Sequence, residues 1–349
     1  RYLFEAYETT LEKITDDKYA AQLDFNKALD LAFLPALRSV QFGARYTDKS
    51  KERDYGELKI TGPSAGNTSW VNTRTLADSP LQRISDIVPG GAYSMKGLDW
   101  QQVSNDYARG FFRYPGFVTP FDDGQYYRVD EEVASLYAMA DLAFDLGSVP
   151  VSVNAGARYV DTSVLSFGYH PIQNADGTTG YTDTPVSKKG SYKDVLPSLN
   201  ATAELADGLL LRAAASETLI RPALTDIAYK RTASWSSFRF TDGNPDLQPT
   251  YAKQWEIGLE KYLENGGLLA ASYFYKKIDG VVVNSLTGVV ENVAVYNANG
   301  TLNGHYDFDV YQPVNADGSY EVDGIELNAQ LPLSALHSAL EGFGINANY

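Results

Sequence analysis

Along much of this 349-residue chain, apolar and polar residues alternate. Tyr19, Ala21, Leu23 and Phe25 are apolar, while Gln22, Asp24 and Asn26 between them are polar. Val40, Phe42, Ala44 and Tyr46 alternate with Ser39, Gln41, Arg45 and Thr47, and Val149, Val151, Val153, Ala155, Ala157 and Tyr159 with Ser152, Asn154 and Arg158. The pattern returns around residues 195–205, 254–260 and 325–331. Successive side chains of a strand point to opposite faces, so each segment has one apolar wall and one polar wall. A helix sets neighbours about 100° apart and would scatter the apolar set.

A soluble antiparallel sheet also alternates. Two features argue for a membrane-spanning barrel instead. Segments such as Lys18–Leu31 and Leu37–Lys49 run well past the usual 5–6 residues of a soluble strand. The connections are also sorted by length. Short ones at Phe33–Ala36, Asp145–Ser148, Ala206–Gly208 and Glu264–Gly267 take turns with long polar and aromatic ones, roughly 52–128, 167–189, 221–249 and 281–318. Tight turns on one side and long loops on the other are the hairpin order of an outer-membrane barrel. The expected fold is therefore all-β, a transmembrane antiparallel β-barrel, with about eleven strands over residues 1–349. Barrels with a plugged lumen have about 22 strands, so this is about half a wall. Tyr46, Tyr159, Tyr169, Tyr262 and Tyr275 fall near segment ends, where interface aromatics belong. Arg45, Arg158 and Arg212 fall on the polar phase and are expected to face the lumen.

Composition agrees. With 25 Tyr, 15 Phe and 4 Trp, the chain is rich in side chains that are apolar at one end and polar at the other. No run reaches the ~18 apolar residues that a membrane helix needs. A net charge of -15 makes nucleic acid a poor partner. The absence of Cys excludes disulfides and thiolate metal sites.

Little else suggests chemistry. Gly62-Pro-Ser-Ala-Gly66 matches G-x-S-x-G, but a nucleophile elbow needs a strand before it and a helix after, and a polar loop follows. There are 3 histidines, His170, His305 and His337. Asn174-Ala-Asp-Gly177 and Asn315-Ala-Asp-Gly318 read as turns, and Asp307 and Asp309 as solvated loop carboxylates rather than calcium ligands. No catalytic residue, metal ligand or cofactor is expected. Three of the Trp, Trp70, Trp100 and Trp235, lie in presumed outer loops, as do Phe111 and Phe112. Together with Tyr229, Arg231, Phe238 and Arg239, Trp70, Trp100 and Trp235 are the candidate ligand contacts: aromatic faces stack on a solute while cations bond its hydroxyls or carboxylates. Packing of these rings against neighbouring loops is the competing reading.

Asp194-Val-Leu-Pro-Ser-Leu-Asn200, Leu210-Leu-Arg-Ala-Ala-Ala-Ser216 and Thr218-Leu-Ile-Arg-Pro222 resemble the barrel signature of TonB-dependent receptors. So do Gly243-Asn-Pro-Asp-Leu-Gln-Pro249, Trp255-Glu-Ile-Gly-Leu259 and Tyr273-Phe-Tyr-Lys-Lys-Ile-Asp279. The repeated Gly-Ala-Arg-Tyr at 43–46 and 156–159, and Val322-Asp-Gly-Ile-Glu-Leu327, fit the same barrel. The subgroup most resembled is that of xanthomonads, caulobacters and sphingomonads. The resemblance implies a Gram-negative outer-membrane receptor, not an enzyme, that imports a scarce nutrient with force relayed by TonB through a plug. Oligosaccharide or glycan-derived cargo is the first expectation, an iron chelate the alternative. A passive porin and a barrel enzyme are the rivals from other classes. The family's plug, energy-coupling box and closing strands are not found within 1–349, so the chain is expected to continue at both ends.

Overall fold

The computed structural model describes residues 6–61, 123–264, 266–297, 299–335 and 337–349. Its contacts form two units, Arg1–Ile14 with Arg53–Tyr126, and Thr15–Glu52 with Tyr127–Tyr349. The described part of the first consists of two strand ends, bridged where Arg53 Nε donates to Glu12 Oε1 at 2.7 Å, and a 3-10 turn at Asp123–Gln125.

Among the described residues, sixteen strands follow one another: β1 (Ala6–Ala28), β2 (Leu37–Thr61), β3 (Tyr127–Leu146), β4 (Val149–Gly168), β5 (Pro171–Gln173) and β6 (Thr179–Tyr181). Next come β7 (Val186–Ala206), β8 (Leu209–Ile220), β9 (Arg231–Ser234), β10 (Arg239–Asp242) and β11 (Thr250–Tyr262). The last are β12 (Leu268–Asp279), β13 (Val282–Tyr296), β14 (Leu302–Asn315), β15 (Ser319–Pro332) and β16 (Gly344–Asn348). Ten of them form one sheet in the order β1-β2-β3-β4-β7-β8-β11-β12-β15-β16. From β3 onward every neighbouring pair in it is antiparallel. That is ten wall strands where alternation in the sequence suggests about eleven, and the sheet is an unclosed part of a transmembrane barrel. The tight turns lie where the spacing puts them. Gly147 and Gly208, both at positive φ (69° and 61°), close the β3–β4 and β7–β8 hairpins.

The two faces differ in chemistry rather than in burial. On one, Tyr19, Leu23, Phe25, Phe42, Leu136, Tyr159, Val195, Ile257 and Ile325 are all exposed, and Phe25 stacks on Phe42 with centroids 5.2 Å apart. On the other, Asp141 accepts bonds from Ser39 Oγ at 2.5 Å and Asn154 Nδ2 at 2.6 Å, while Asp24 accepts from the Tyr137 hydroxyl at 2.6 Å. Within the 20 residues of β4, the apolar stripe runs from Val149 to Tyr159 and then stops. That length matches the ~9–11 residues of a tilted membrane strand. Beyond it the phases exchange. Asp161 and Ser163 take over the formerly apolar face, and Val160 and Val164, both buried, the formerly polar one. Tyr169, expected at the interface, lies past the end of β4, where its carbonyl accepts from Arg231 N at 3.2 Å.

Among the described residues, the long connections at 167–189, 221–249 and 281–318 are folded. β13, β14, β10 and β9 make a four-stranded sheet, and β5 and β6 a hairpin. β10 runs antiparallel to β9 but parallel to β14, with Phe240 opposite Val310.

Candidate functional site: the capped polar face

Pairing between β7 and β8 ends at Ser198↔Ser216, although β7 continues to Val186. The connection from Arg221 to Pro249 folds over the polar-phase face of β3, β4 and β7 in that upper region. Its Ile227, Ala228 and Leu247 are at most 3% exposed and share a core with Tyr127, Val129 and Val164. The strap approaches closely enough to need glycines. A Cβ on Gly190 would lie 1.8 Å from the Pro245 carbonyl oxygen, and one on Gly243 would lie 1.8 Å from that of Ala228. Tyr229 N donates to Ser166 Oγ at 2.7 Å, and Lys188 pairs with Asp246. The Gly243–Pro249 motif is therefore the piece that seats the strap on the wall. The same motif stitches it to the β13–β14 hairpin. Asn244 Nδ2 donates to the Pro313 carbonyl at 2.9 Å, and Gln248 N to Asn315 Oδ1 at 2.9 Å.

The candidate ligand contacts of this connection meet other protein side chains, most of them in neighbouring connections. Arg231 holds Asp242 with two bonds of 2.7 Å. Trp235 meets Phe308 edge-on at 5.5 Å and donates from Nε1 to Thr179 Oγ1 at 2.9 Å. Phe238, at φ 50°, stacks on Tyr306 with centroids 4.2 Å apart. Arg239 is exposed, its guanidinium 3.8 Å above the Tyr311 ring. Tyr229 lies 5.3 Å from His170, whose imidazole is held below the usual histidine range by burial and by nearby Arg231, with Asp242 opposing. Trp70, Trp100, Phe111, Phe112 and the Gly62–Gly66 motif lie outside the described residues.

Asn174–Gly177 forms the expected turn, Gly177 N bonding the Asn174 carbonyl at 2.9 Å. Asn315–Gly318 turns into β15, and Asp307 accepts from Asn292 N at 3.0 Å. Sequence reading missed the partners Tyr306, Phe308 and Tyr311. Their signal was the alternation of Tyr306, Phe308 and Val310 with Asp307 and Asp309 inside a segment read as loop. It also missed a second turn, in which Asn297–Thr301 repeats the bonding of Asn174–Thr178 atom for atom.

Beneath the strap, Arg45 and Arg158 stand on the polar face behind Tyr46 and Tyr159. They line a hollow of about 440 Å³ together with Lys18, Lys49, Glu131 and Arg221. The Arg158 guanidinium sits 5.3 Å over the Tyr137 ring. Arg212 belongs to a different region, a hollow of about 800 Å³ that Glu256, Glu260 and Glu326 also line. There Arg212 Nε donates to Glu260 Oε2 at 2.9 Å.

Among solved structures, the chain is similar to the ferric-catecholate import receptor Fiu from E. coli K12, at 15% identity and TM-score 0.50, covering 91% of this chain and 36% of that one. It is also similar to the ferric citrate transporter FecA (13% identity, TM-score 0.49, 98% and 36%) and to the siderophore receptor PirA from Acinetobacter baumannii (14%, 0.43, 92% and 42%). The chain thus spans well under half the length of these three. The likeness to Fiu supports the fold alone. No curated protein matches the sequence. The family model described as TonB dependent receptor-like, beta-barrel, matches residues 2–349, and the chain belongs to that family.

Proposed function

We propose that this chain is part of the wall of a Gram-negative outer-membrane transporter that captures a scarce polar nutrient at its outer mouth and imports it with energy from TonB, relayed through a plug domain. The observation that carries this reading is the wall itself. A bilayer-length apolar stripe faces one way and a hydrogen-bonded polar face the other, and one end is capped by folded loops. A passive porin has no need of such a cap, because its lumen stays open to water. In this reading Arg45, Arg158 and Arg212 face the lumen. Arg239 and Tyr229 meet cargo at the cap, and Trp235 and Phe238 hold the cap that presents them. Oligosaccharide or glycan-derived cargo is the first reading, in line with the subgroup resemblance. An iron chelate is the second, favoured by Fiu, FecA and PirA being ferric-catecholate, ferric citrate and siderophore proteins.

The test is uptake by cells carrying the full-length receptor, with and without TonB, using labelled oligosaccharides and ferric chelates. Accumulation of one class only when TonB is present is the expected result. Equal uptake without TonB would make the protein a porin.

A further inference from the structure

We propose that the hollow behind Tyr46 and Tyr159 is a binding pocket for a carboxylate-bearing group of the cargo, gripped by Arg45 and Arg158 and flanked by Lys18, Lys49 and Arg221. The proposal rests on the transporter reading above and narrows its substrate class.

The charges are sorted along the polar face. This hollow is lined by five cations and two carboxylates, Glu131 and Glu217. The Arg212 hollow is lined by one cation and three carboxylates. In a chain of net charge -15, five cations around one hollow are a local reversal. Much of that charge is uncommitted. Arg221 stands 3.5 Å from Glu131, Lys49 3.6 Å from Asp16, and Glu217 faces Lys253 at 3.8 Å. Among the described residues, Lys18, Arg45 and Arg158 have no carboxylate within ion-pair reach. Like charges gathered without counter-charges cost free energy unless an anion joins them. Two guanidinium groups suit a planar carboxylate, because their paired N–H groups match its two oxygens.

The volume of about 440 Å³ suits one charged ring or chelate head rather than a whole oligomer. A uronic acid within an acidic oligosaccharide and the carboxylates of ferric citrate present the same chemistry. An acidic side chain of another domain is the competing occupant.

The experiment titrates the purified full-length receptor in detergent with trigalacturonate, ferric citrate and the neutral maltotriose, at low and high salt. At least one of the two anions should bind more tightly than maltotriose and weaken as salt rises. R45Q/R158Q should weaken it about tenfold or more per lost arginine, the scale of a charge-assisted bond. R45K/R158K should recover part of the loss, and K193Q, on the opposite face, should change nothing. If R45Q/R158Q does not fold, K18Q and K49Q serve instead, with a severalfold loss expected. Anions no tighter than maltotriose, or binding indifferent to the pocket variants, would overturn the proposal. So would a fall in melting temperature without a change in binding, which would assign these cations to another domain. Tight anion binding without TonB-dependent uptake would sink the transport reading but leave the pocket standing. TonB-dependent uptake with anion binding intact in R45Q/R158Q would do the reverse.

Discussion

Gly190→Ala tests whether the strap is seated as described. The added methyl would lie 1.8 Å from the Pro245 carbonyl oxygen and 2.8 Å from its carbon. Wall and strap must then part by roughly 1.5 Å to restore van der Waals contact. The protein has two ways to respond. Full release of the strap uncovers Leu247 and Ile227, now 2% and 3% exposed. At about 1.5–3 kcal/mol for each such side chain, release costs about 3–6 kcal/mol. Local distortion around an overpacked contact costs about 1–3 kcal/mol. Distortion is cheaper, so the strap should stay docked but open more readily. Because 1.4 kcal/mol is about tenfold, exchange of its protected amides should accelerate roughly 5- to 150-fold. The reporters are Leu247 N, bonded to the Asn244 carbonyl, Gln248 N and Tyr229 N. Wall amides in β11 and β12 should not change. Gly288→Ala is the control, since a Cβ there meets nothing within 4 Å. Unaltered exchange at 244–249 in Gly190→Ala, or equal acceleration in Gly288→Ala, would refute the seating.

Two further outcomes follow from the cap. The His170 imidazole is held below its usual range by burial, and the groups that face it are the Tyr229 ring, Arg231 and Asp242. A lowered folded-state pKa means that the unfolded state binds the proton first. The contribution of the neutral ring is therefore complete above about pH 6.5 and is lost as pH falls through and below that value. Opening of β9 and β10, measured by exchange corrected for intrinsic rates, should rise from pH 7.5 to 5 in the native protein but not in His170→Gln; an equal response in both removes His170 from the account. Trp235→Ala and Phe238→Ala should each destabilise the cap by about 2–4 kcal/mol, somewhat less than a fully buried ring. Cargo binding should fall in step with that loss, whereas Arg239→Ala should weaken binding with cap exchange unchanged. Weaker binding in the ring variants with an intact cap would mean that Trp235 and Phe238 touch cargo directly.

The wall was legible in the sequence because its signal is strictly local. Val149 to Tyr159 alternates residue by residue, and Gly147 and Gly208 sit at turns that need positive φ. The cap was less legible because its order comes from contacts between segments far apart in sequence. Phe240 reaches Val310 through a parallel ladder between two loops, and Gln248 N donates to Asn315 Oδ1 between the same two segments. Trp235, Phe238 and Arg239 were visible as residue types able to bind a solute. Their actual neighbours, Phe308, Tyr306 and Tyr311, lie about seventy positions away in another loop. The five-cation hollow was hidden for the same reason. Arg45 and Arg158 share the same tetrapeptide, but only the strand order β2-β3-β4 brings them to one hollow.

One physical boundary ties these features together. In β3, β4 and β7 alike, the face that is apolar through the membrane turns polar at one level. Leu136 and Ala134 give way to Glu132 and Asp130, Tyr159 to Asp161, and Val195 to Lys193. On this outer side Lys193 and Asp161 pair at 3.2 Å, as exposed charges in water can. The other face changes in the opposite sense, from Asn154 and Asp141 to Val129, Val160 and Val164. Lipid explains the first change, since charged side chains are costly within the bilayer and free to appear outside it. It cannot explain the second, because the inner face never meets lipid. The strap does: Leu247, Ile227 and Ala228 share a core with Val129 and Val164, so the inner phase becomes apolar where the loop folds in. Arg45 and Arg158 stand where the inner face is still polar, immediately beneath that cover. Along β4 the polar stretch that ends with Arg158 is therefore followed on the same face by Val164 of the strap's core, so the five-cation hollow and the apolar seat of the strap succeed one another along the wall.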